Sequence, residues 1–212
     1  MRVRVKICGI TSAHDALVAA TAGADAIGLV FAESPRRVSI ETARRIVASL
    51  PPFVCPVGVF VDAELEEVES TAAAAGLGAV QLHGEEAPAY VKALESKGMR
   101  VIKAIHVGSR EDASRAGLYN ATIMFDARSS RAAGGTGEVF PWEYAVEIAR
   151  RRPVILSGGL TAENVGEALK AVPAWAVDLS SGVEASRGLK DAEKIRRFIE
   201  AVGRASDEER QG

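Results

Sequence analysis

The sequence predicts a single-domain α/β protein, a closed (β/α)8 barrel of the TIM type, and three observations carry that prediction. Short apolar runs alternate with amphipathic segments about every 25 residues, giving eight strand-like stretches with helical patterns between them. Several of the runs are nearly all apolar, as expected of parallel strands buried on both faces. No G-x-G-x-x-G follows the first run, and an open eight-stranded sheet would need a switch point there. At 212 residues the chain lies near the lower limit for such a barrel, so its connections must be short.

The first strand, 3–8, alternates Val3, Val5 and Ile7 with Arg4 and Lys6 and stops at Cys8-Gly9. Thr11-Ser12 followed by Asp15 reads as the cap of a helix over 13–22. Lys6 and Cys8 project to one face if the pleat is regular. Further strands are expected over 26–31, 57–61, 79–82, 101–105, 123–126, 154–156 and 176–179. Helices are expected over 41–49, 64–75, 88–97, 142–150, 163–171 and 191–202. In 64–75, Leu65, Val68 and Ala72 share a face, with Glu66, Glu67 and Glu69 outside it. The fifth connection, 108–120, is the weak one and reads as a short helix or an irregular loop. The one long loop, 127–139, is glycine-rich and suits either a mobile lid or a plain surface loop. The barrel is expected over 1–202, with a polar tail, 203–212, that frays.

Composition narrows the function. A hydrophobic share of 48% with 25% charged residues is an ordinary globular balance. A net charge of −2 gives no electrostatic case for nucleic acid or a membrane surface. Cys8 and Cys55 sit in apolar runs with neither a disulfide framework nor a CxxC metal pair. No run approaches the length of a membrane span, and the chain opens on a strand instead of an apolar leader. These features read as a reduced, cytoplasmic protein.

A (β/α)8 barrel gathers its chemistry at the C-terminal ends of its strands. Cys8 ends strand one, His83 strand four and Asp126 strand six, while loop two carries Arg36 and Arg37. Strand seven runs into Ser157-Gly158-Gly159 and strand eight into Ser180-Ser181-Gly182. Glycine lets backbone N–H groups approach an oxyanion, and short helix N-termini add a favourable dipole. Gly158, Gly159, Ser180, Ser181 and Gly182 are therefore expected to hold the phosphate of a small phosphorylated ligand. Cys8 alone would read as a buried small hydrophobe; its place opposite Asp126 on one mouth argues for chemistry.

Read together, K-I-C-G-I-T (6–11), S-P-R-R-V-S (34–39), V-G-V-F-V-D (57–62), V-Q-L-H-G-E (80–85), Phe125-Asp126, G-G-T-G (134–137), L-S-G-G-L-T-A-E-N-V (156–165) and V-D-L-S-S-G-V-E (177–184) resemble the phosphoribosylanthranilate isomerases. The resemblance runs from Lys6 to about Asp191 in the family's order and spacing. It implies a single barrel without cofactor or metal, a monomer or homodimer, acting in tryptophan biosynthesis. The implied reaction is an Amadori rearrangement of N-(5-phosphoribosyl)anthranilate, with Asp126 as general acid and Cys8 as general base. Each role sets a condition. Asp126 needs an apolar or anionic neighbourhood to keep its proton, and Cys8 must be partly thiolate, which a cationic neighbour would favour.

By the same resemblance Arg36 clamps the anthranilate carboxylate through its guanidinium fork, and His83 contacts substrate or supports the site. Asp178 reads as ordering the phosphate turns, Arg37 as a solvated loop charge, and His14 and His106 as ordinary. Trp142 and Trp175 read as core or surface anchors. A related sugar-phosphate isomerase of histidine biosynthesis would carry a carboxylate at the end of strand one, where this chain has Cys8. A metal-dependent epimerase would need ligands at several strand ends, and only His83 is offered. A catalytically inactive barrel serving as a binding subunit is at odds with intact Cys8 and Asp126.

Overall fold

The alternation seen in the sequence builds a closed parallel barrel, β1 to β8 in chain order, with β1 hydrogen-bonded to both β2 and β8. A computed structural model describes residues 2–127 and 140–211. The strands are β1 (Arg4–Cys8), β2 (Ala26–Val30), β3 (Cys55–Phe60), β4 (Ala79–Leu82), β5 (Val101–Val107), β6 (Thr122–Ala127), β7 (Val154–Leu156) and β8 (Ala176–Leu179). Helices α1 (Ala13–Ala22), α2 (Ile40–Ser49), α3 (Leu65–Ala75), α4 (Pro88–Ser96), α5 (Arg110–Ser114), α6 (Glu143–Ala149), α7 (Val165–Ala171) and α8 (Ala192–Gln211) connect and cover them. The expected lid, apart from Ala127, and the G-G-T-G motif lie outside the described residues.

Local chemistry fixes the helix starts. Ser12 accepts a hydrogen bond from the Asp15 N–H, as its spacing predicts, and Ser39 does the same for Thr42. Pro88 opens α4, where its missing N–H costs nothing. The weak fifth connection resolves as a single turn, α5, held by a reciprocal Ser109–Asp112 capping box and followed by a 3-10 turn over Arg115–Leu118.

Alternation along β1 sorts side chains between two environments. Val3, Val5 and Ile7 join the large apolar layer between barrel and helices, whereas Lys6 and Cys8 turn into the barrel. Inside the barrel Ala104, Met124, Ile155 and Ala176, with Ile102 against them, form a small apolar cluster. Above that cluster, toward the C-terminal ends of the strands, the mouth mixes Val30 and Val59 with Cys8, Gln81, Asp126 and Asp178.

Two expectations are corrected. Strand five runs on to Val107, two residues beyond its expected end, because its pairing with β6 continues through His106↔Asp126 and Val107↔Ala127. The expected frayed tail is instead the C-terminal half of α8, which continues to Gln211. Ala205 and Ser206 are buried there, and the Ser206 hydroxyl accepts from the Val3 N–H at 3.3 Å. The exposed Arg204, Asp207 and Glu208 are the wet side of an amphipathic helix. A small hairpin, β9 (Glu184–Ser186) with β10 (Leu189–Lys190), follows β8 and was not expected. Among the described residues no helix is long and apolar enough to cross a membrane.

Candidate active site

Cys8, Arg36, His83, Asp126, Gly158, Gly159, Ser180, Ser181 and Gly182, every site residue expected from the sequence, line one cavity of about 320 Å³ at the barrel mouth. They share it because each ends or follows a strand, and the barrel brings all those ends to one face.

Cys8 lies opposite Gly28 of β2 in the strand register. A Cβ on Gly28 would come within 2.6 Å of the Cys8 sulfur and 3.1 Å of Lys6 Nζ, so only glycine leaves room for this pair. Lys6 does share the inward face with Cys8, and it lies opposite Asp178 of β8, donating from Nζ to Asp178 Oδ1 at 2.6 Å. The requirement for a ready thiolate is not met at rest. Burial pushes the Cys8 thiol up and Asp178 adds to it, outweighing the downward pull of Lys6 and Lys190.

The condition set on Asp126 is likewise corrected. Its neighbourhood is neither apolar nor anionic: His83 Nε2 lies 3.3 Å and His106 Nδ1 3.8 Å from Oδ2. Burial pushes the carboxyl up, but the His83 hydrogen bond, both imidazoles and the Ser157 hydroxyl outweigh it and hold it below the usual range. The resting site thus keeps its proton on sulfur and an ionised carboxylate across the mouth.

His106 is the residue sequence reasoning misplaced. It pairs in register with Asp126, and its Nε2 sits 3.0 Å from the His83 carbonyl oxygen. The signal that would have found it is the length of β5, since a strand ending at Val107 makes His106 a strand-end residue. Gln81 of β4 backs His83, with Nε2 2.9 Å from Nδ1.

Arg36 does not offer its side-on fork to the cavity. Glu184 of β9 already occupies it, accepting from Nε at 2.7 Å and from Nη2 at 2.8 Å. Three guanidinium N–H groups remain, two on Nη1 and one on Nη2. Lys190 of β10 braces the same carboxylate at 3.1 Å and donates to the Ser180 carbonyl oxygen at 2.9 Å. Glu184 and Lys190 were missed because a surface hairpin after the last strand has no barrel-level signature.

The two glycine turns meet beside the mouth. Gly158 and Gly159 both take positive φ, and a Cβ on Gly158 would lie 2.4 Å from the Ala127 nitrogen. Gly182 packs as closely on the Leu160 carbonyl oxygen. The expected helix N-terminus is only a 3-10 turn over Ser181–Val183, and α7 starts further on, at Val165. Asp178 links the two turns to β1: it takes Lys6 on one oxygen and the Ser157 hydroxyl, at 3.2 Å, on the other.

Comparison with known proteins shows the family of the chain. The family model for N-(5'-phosphoribosyl)anthranilate isomerase matches residues 5–201. A relative of that name from Geobacter sp. (strain M21) is 50% identical over 198 residues, covering 92% of this chain and 96% of the relative. Another from Stutzerimonas stutzeri is 48% identical over 204 residues, 94% of this chain and 97% of its own. Among solved structures, the phosphoribosyl anthranilate isomerase of Thermotoga maritima matches with a TM-score of 0.89 at 44% identity, over 94% of this chain and 98% of that one. A phosphoribosyl anthranilate isomerase complexed with reduced 1-(o-carboxyphenylamino)-1-deoxyribulose 5-phosphate matches at 0.85 and 43% identity, with the same coverage.

Proposed function

The chain belongs to the N-(5'-phosphoribosyl)anthranilate isomerase family and is an isomerase of tryptophan biosynthesis; from that premise we propose how its residues carry the reaction. The observation that carries the proposal is the meeting of Cys8 and Asp126, with two glycine turns and Arg36, around one cavity of ligand size. The substrate is N-(5-phosphoribosyl)anthranilate and the product is its open-chain 1-deoxyribulose isomer.

Asp126 gives a proton to the furanose ring oxygen, the C1–O bond breaks, and the anthranilate nitrogen takes up the positive charge as an iminium. Cys8 then removes the proton from sugar carbon two, giving an enolamine that tautomerises to the ketone. The phosphate sits between Gly158-Gly159 and Ser180-Ser181-Gly182, held by backbone N–H groups. Arg36, fixed by Glu184, meets the anthranilate carboxylate with its remaining end-on donors. His83 holds Asp126 in place through Nε2.

The resting protonation pattern has a consequence for this path. Acid and base together need one proton, and the resting site keeps it on Cys8. The reacting form is the alternative with the proton on Asp126 and a thiolate at Cys8. A phosphate seated at Gly158, packed on Ala127, brings negative charge beside Asp126 and raises its affinity for that proton. We place the reaction in a reduced, cytoplasmic setting, supported by Cys8 and Cys55 both being free, in a monomer or homodimer.

The test is conversion of freshly made substrate followed by the loss of anthranilate fluorescence. Cys8→Ala and Asp126→Asn should each lower kcat roughly 10²–10⁴-fold with unchanged circular dichroism. Retention of more than about a tenth of the activity by either folded variant would remove that residue from its role.

A further inference from the structure

His83, His106 and Asp126 come to the mouth from the ends of three neighbouring strands, and their ligating atoms all lie within 4.8 Å of one another. We propose that they form a site for a borderline divalent transition-metal ion, with Zn²⁺ as its type, whose occupancy blocks the isomerase. The ligand set stands on geometry alone; the block rests on the assignment of Asp126 as the acid.

Two imidazoles and a carboxylate are a donor set that suits zinc, with the fourth position left for water. A tetrahedral ion about 2.0–2.1 Å from each donor needs the donors roughly 3.4 Å apart. The two separations to Asp126 Oδ2 are 3.3 Å from His83 Nε2 and 3.8 Å from His106 Nδ1. The two imidazole nitrogens lie within 4.8 Å of each other, so an ion would draw the His106 ring inward. His83 and Asp126 line the cavity, and all three side chains are partly exposed, at 27%, 29% and 20%, so an ion can reach them.

The surroundings of the ligands are those a metal requires. His106 Nε2 faces the His83 carbonyl oxygen at 3.0 Å, which can only accept. Nε2 therefore carries a proton, and in the neutral ring Nδ1 is the nitrogen left free for a metal. On His83 the partner is Gln81, whose amide lies 2.9 Å from Nδ1. Gln81 Oε1 is buried and has no hydrogen-bond partner. Turning that amide over therefore breaks no bond to Oε1 and lets it accept from Nδ1–H, which frees the Nε2 lone pair. An imidazole whose second nitrogen donates to a fixed oxygen is the arrangement by which proteins orient metal ligands.

The chain has three histidines, and His14 lies exposed on α1, away from the cluster. Untagged full-length protein titrated with Co²⁺ should show saturable one-to-one d–d absorption that Zn²⁺ displaces. His14→Gln should leave that binding unchanged, and His106→Gln and His106→Asn should each weaken it at least roughly tenfold, the effect even a ligand's supporting partner commands. Zn²⁺ should abolish turnover, and a chelator should restore it. Equal affinity in folded His106 variants would overturn the proposal. So would a thiolate-to-cobalt charge-transfer band that disappears in Cys8→Ser, because the metal would then sit on sulfur. Zinc bound at the cluster with turnover intact would overturn the block. Binding is read without turnover and turnover is read in metal-free buffer, so failure of the metal site and failure of the isomerase mechanism are distinct results.

Discussion

At Cys8, burial and charge oppose one another. Removal from water favours the thiol, Lys6 favours the thiolate, and Asp178 takes back part of what Lys6 gives by pairing with it. Asp178→Asn should release Lys6 toward sulfur and move the pH midpoint of Cys8 alkylation by iodoacetamide downward. An unmoved or higher midpoint would show that Lys6 does not govern the thiol. Room at this point is equally constrained: Gly28→Ala puts a methyl 2.6 Å from the Cys8 sulfur. Overpacking of this kind costs about 1–3 kcal/mol, so a denaturant midpoint unchanged from wild type would mean that Cys8 and Lys6 can step aside.

At the scale of elements, the β9–β10 hairpin braces one side of the mouth. It carries Glu184 and Lys190 onto Arg36 and the Ser180 turn, tying loop two to the end of β8. Glu184→Gln should leave Arg36 unsupported and raise KM for the substrate by about ten- to a hundredfold, with kcat less affected, the range expected for a charge-assisted contact. A KM within about twofold of wild type would separate Glu184 from Arg36 function. The pH dependence has a definite sign. Burial pushes the Glu184 carboxyl up, but Arg36 and Lys190 hold it lower than an ordinary glutamate. Its contribution to the folded hairpin is therefore complete at neutral pH, above the unfolded-chain value, and is lost as pH falls through the depressed folded value. Substrate affinity of the wild type should weaken across that acid range, and affinity in Glu184→Gln should not follow it.

At the scale of the whole molecule, two features that look incidental in the sequence tie distant parts of the fold together. Lys103 points out of β5 into the layer beneath the helices and donates to Glu86 at 2.8 Å and to the Gly84 carbonyl oxygen at 2.6 Å, both charges fully enclosed. Removing one partner of such a pair strands the other, so Glu86→Ala should destabilise the fold by about 3–5 kcal/mol in denaturant unfolding. A loss under about 1 kcal/mol would mean that water reaches Lys103. The second feature is α8, which packs on α1 and α7 and reaches Val3, just before β1, through Ser206. Truncation after Val202 removes the buried Ala205 and Ser206 and leaves the Val3 N–H without its partner. The melting temperature should fall by several degrees; an unchanged value would make residues beyond Val202 dispensable.

The sequence by itself determined the barrel, the strands that end in chemistry and the residues at the mouth. Periodicity separates strand from helix locally, and barrel closure then forces all strand ends to one face. Cys8, Asp126 and the paired turns at Gly158 and Ser180 were legible for that reason. The protonation of the site was decided only in three dimensions. Charge at Asp126 is set by His83 and His106, which lie 43 and 20 residues away in the chain, and charge at Cys8 by burial in the closed barrel, which outweighs Lys6 with help from Asp178, 170 residues on. No local pattern encodes such sums. The grip of Glu184 on Arg36 and the burial of Ser206 against Val3 have the same origin: each partner is an ordinary polar residue until the closed barrel brings the other to it.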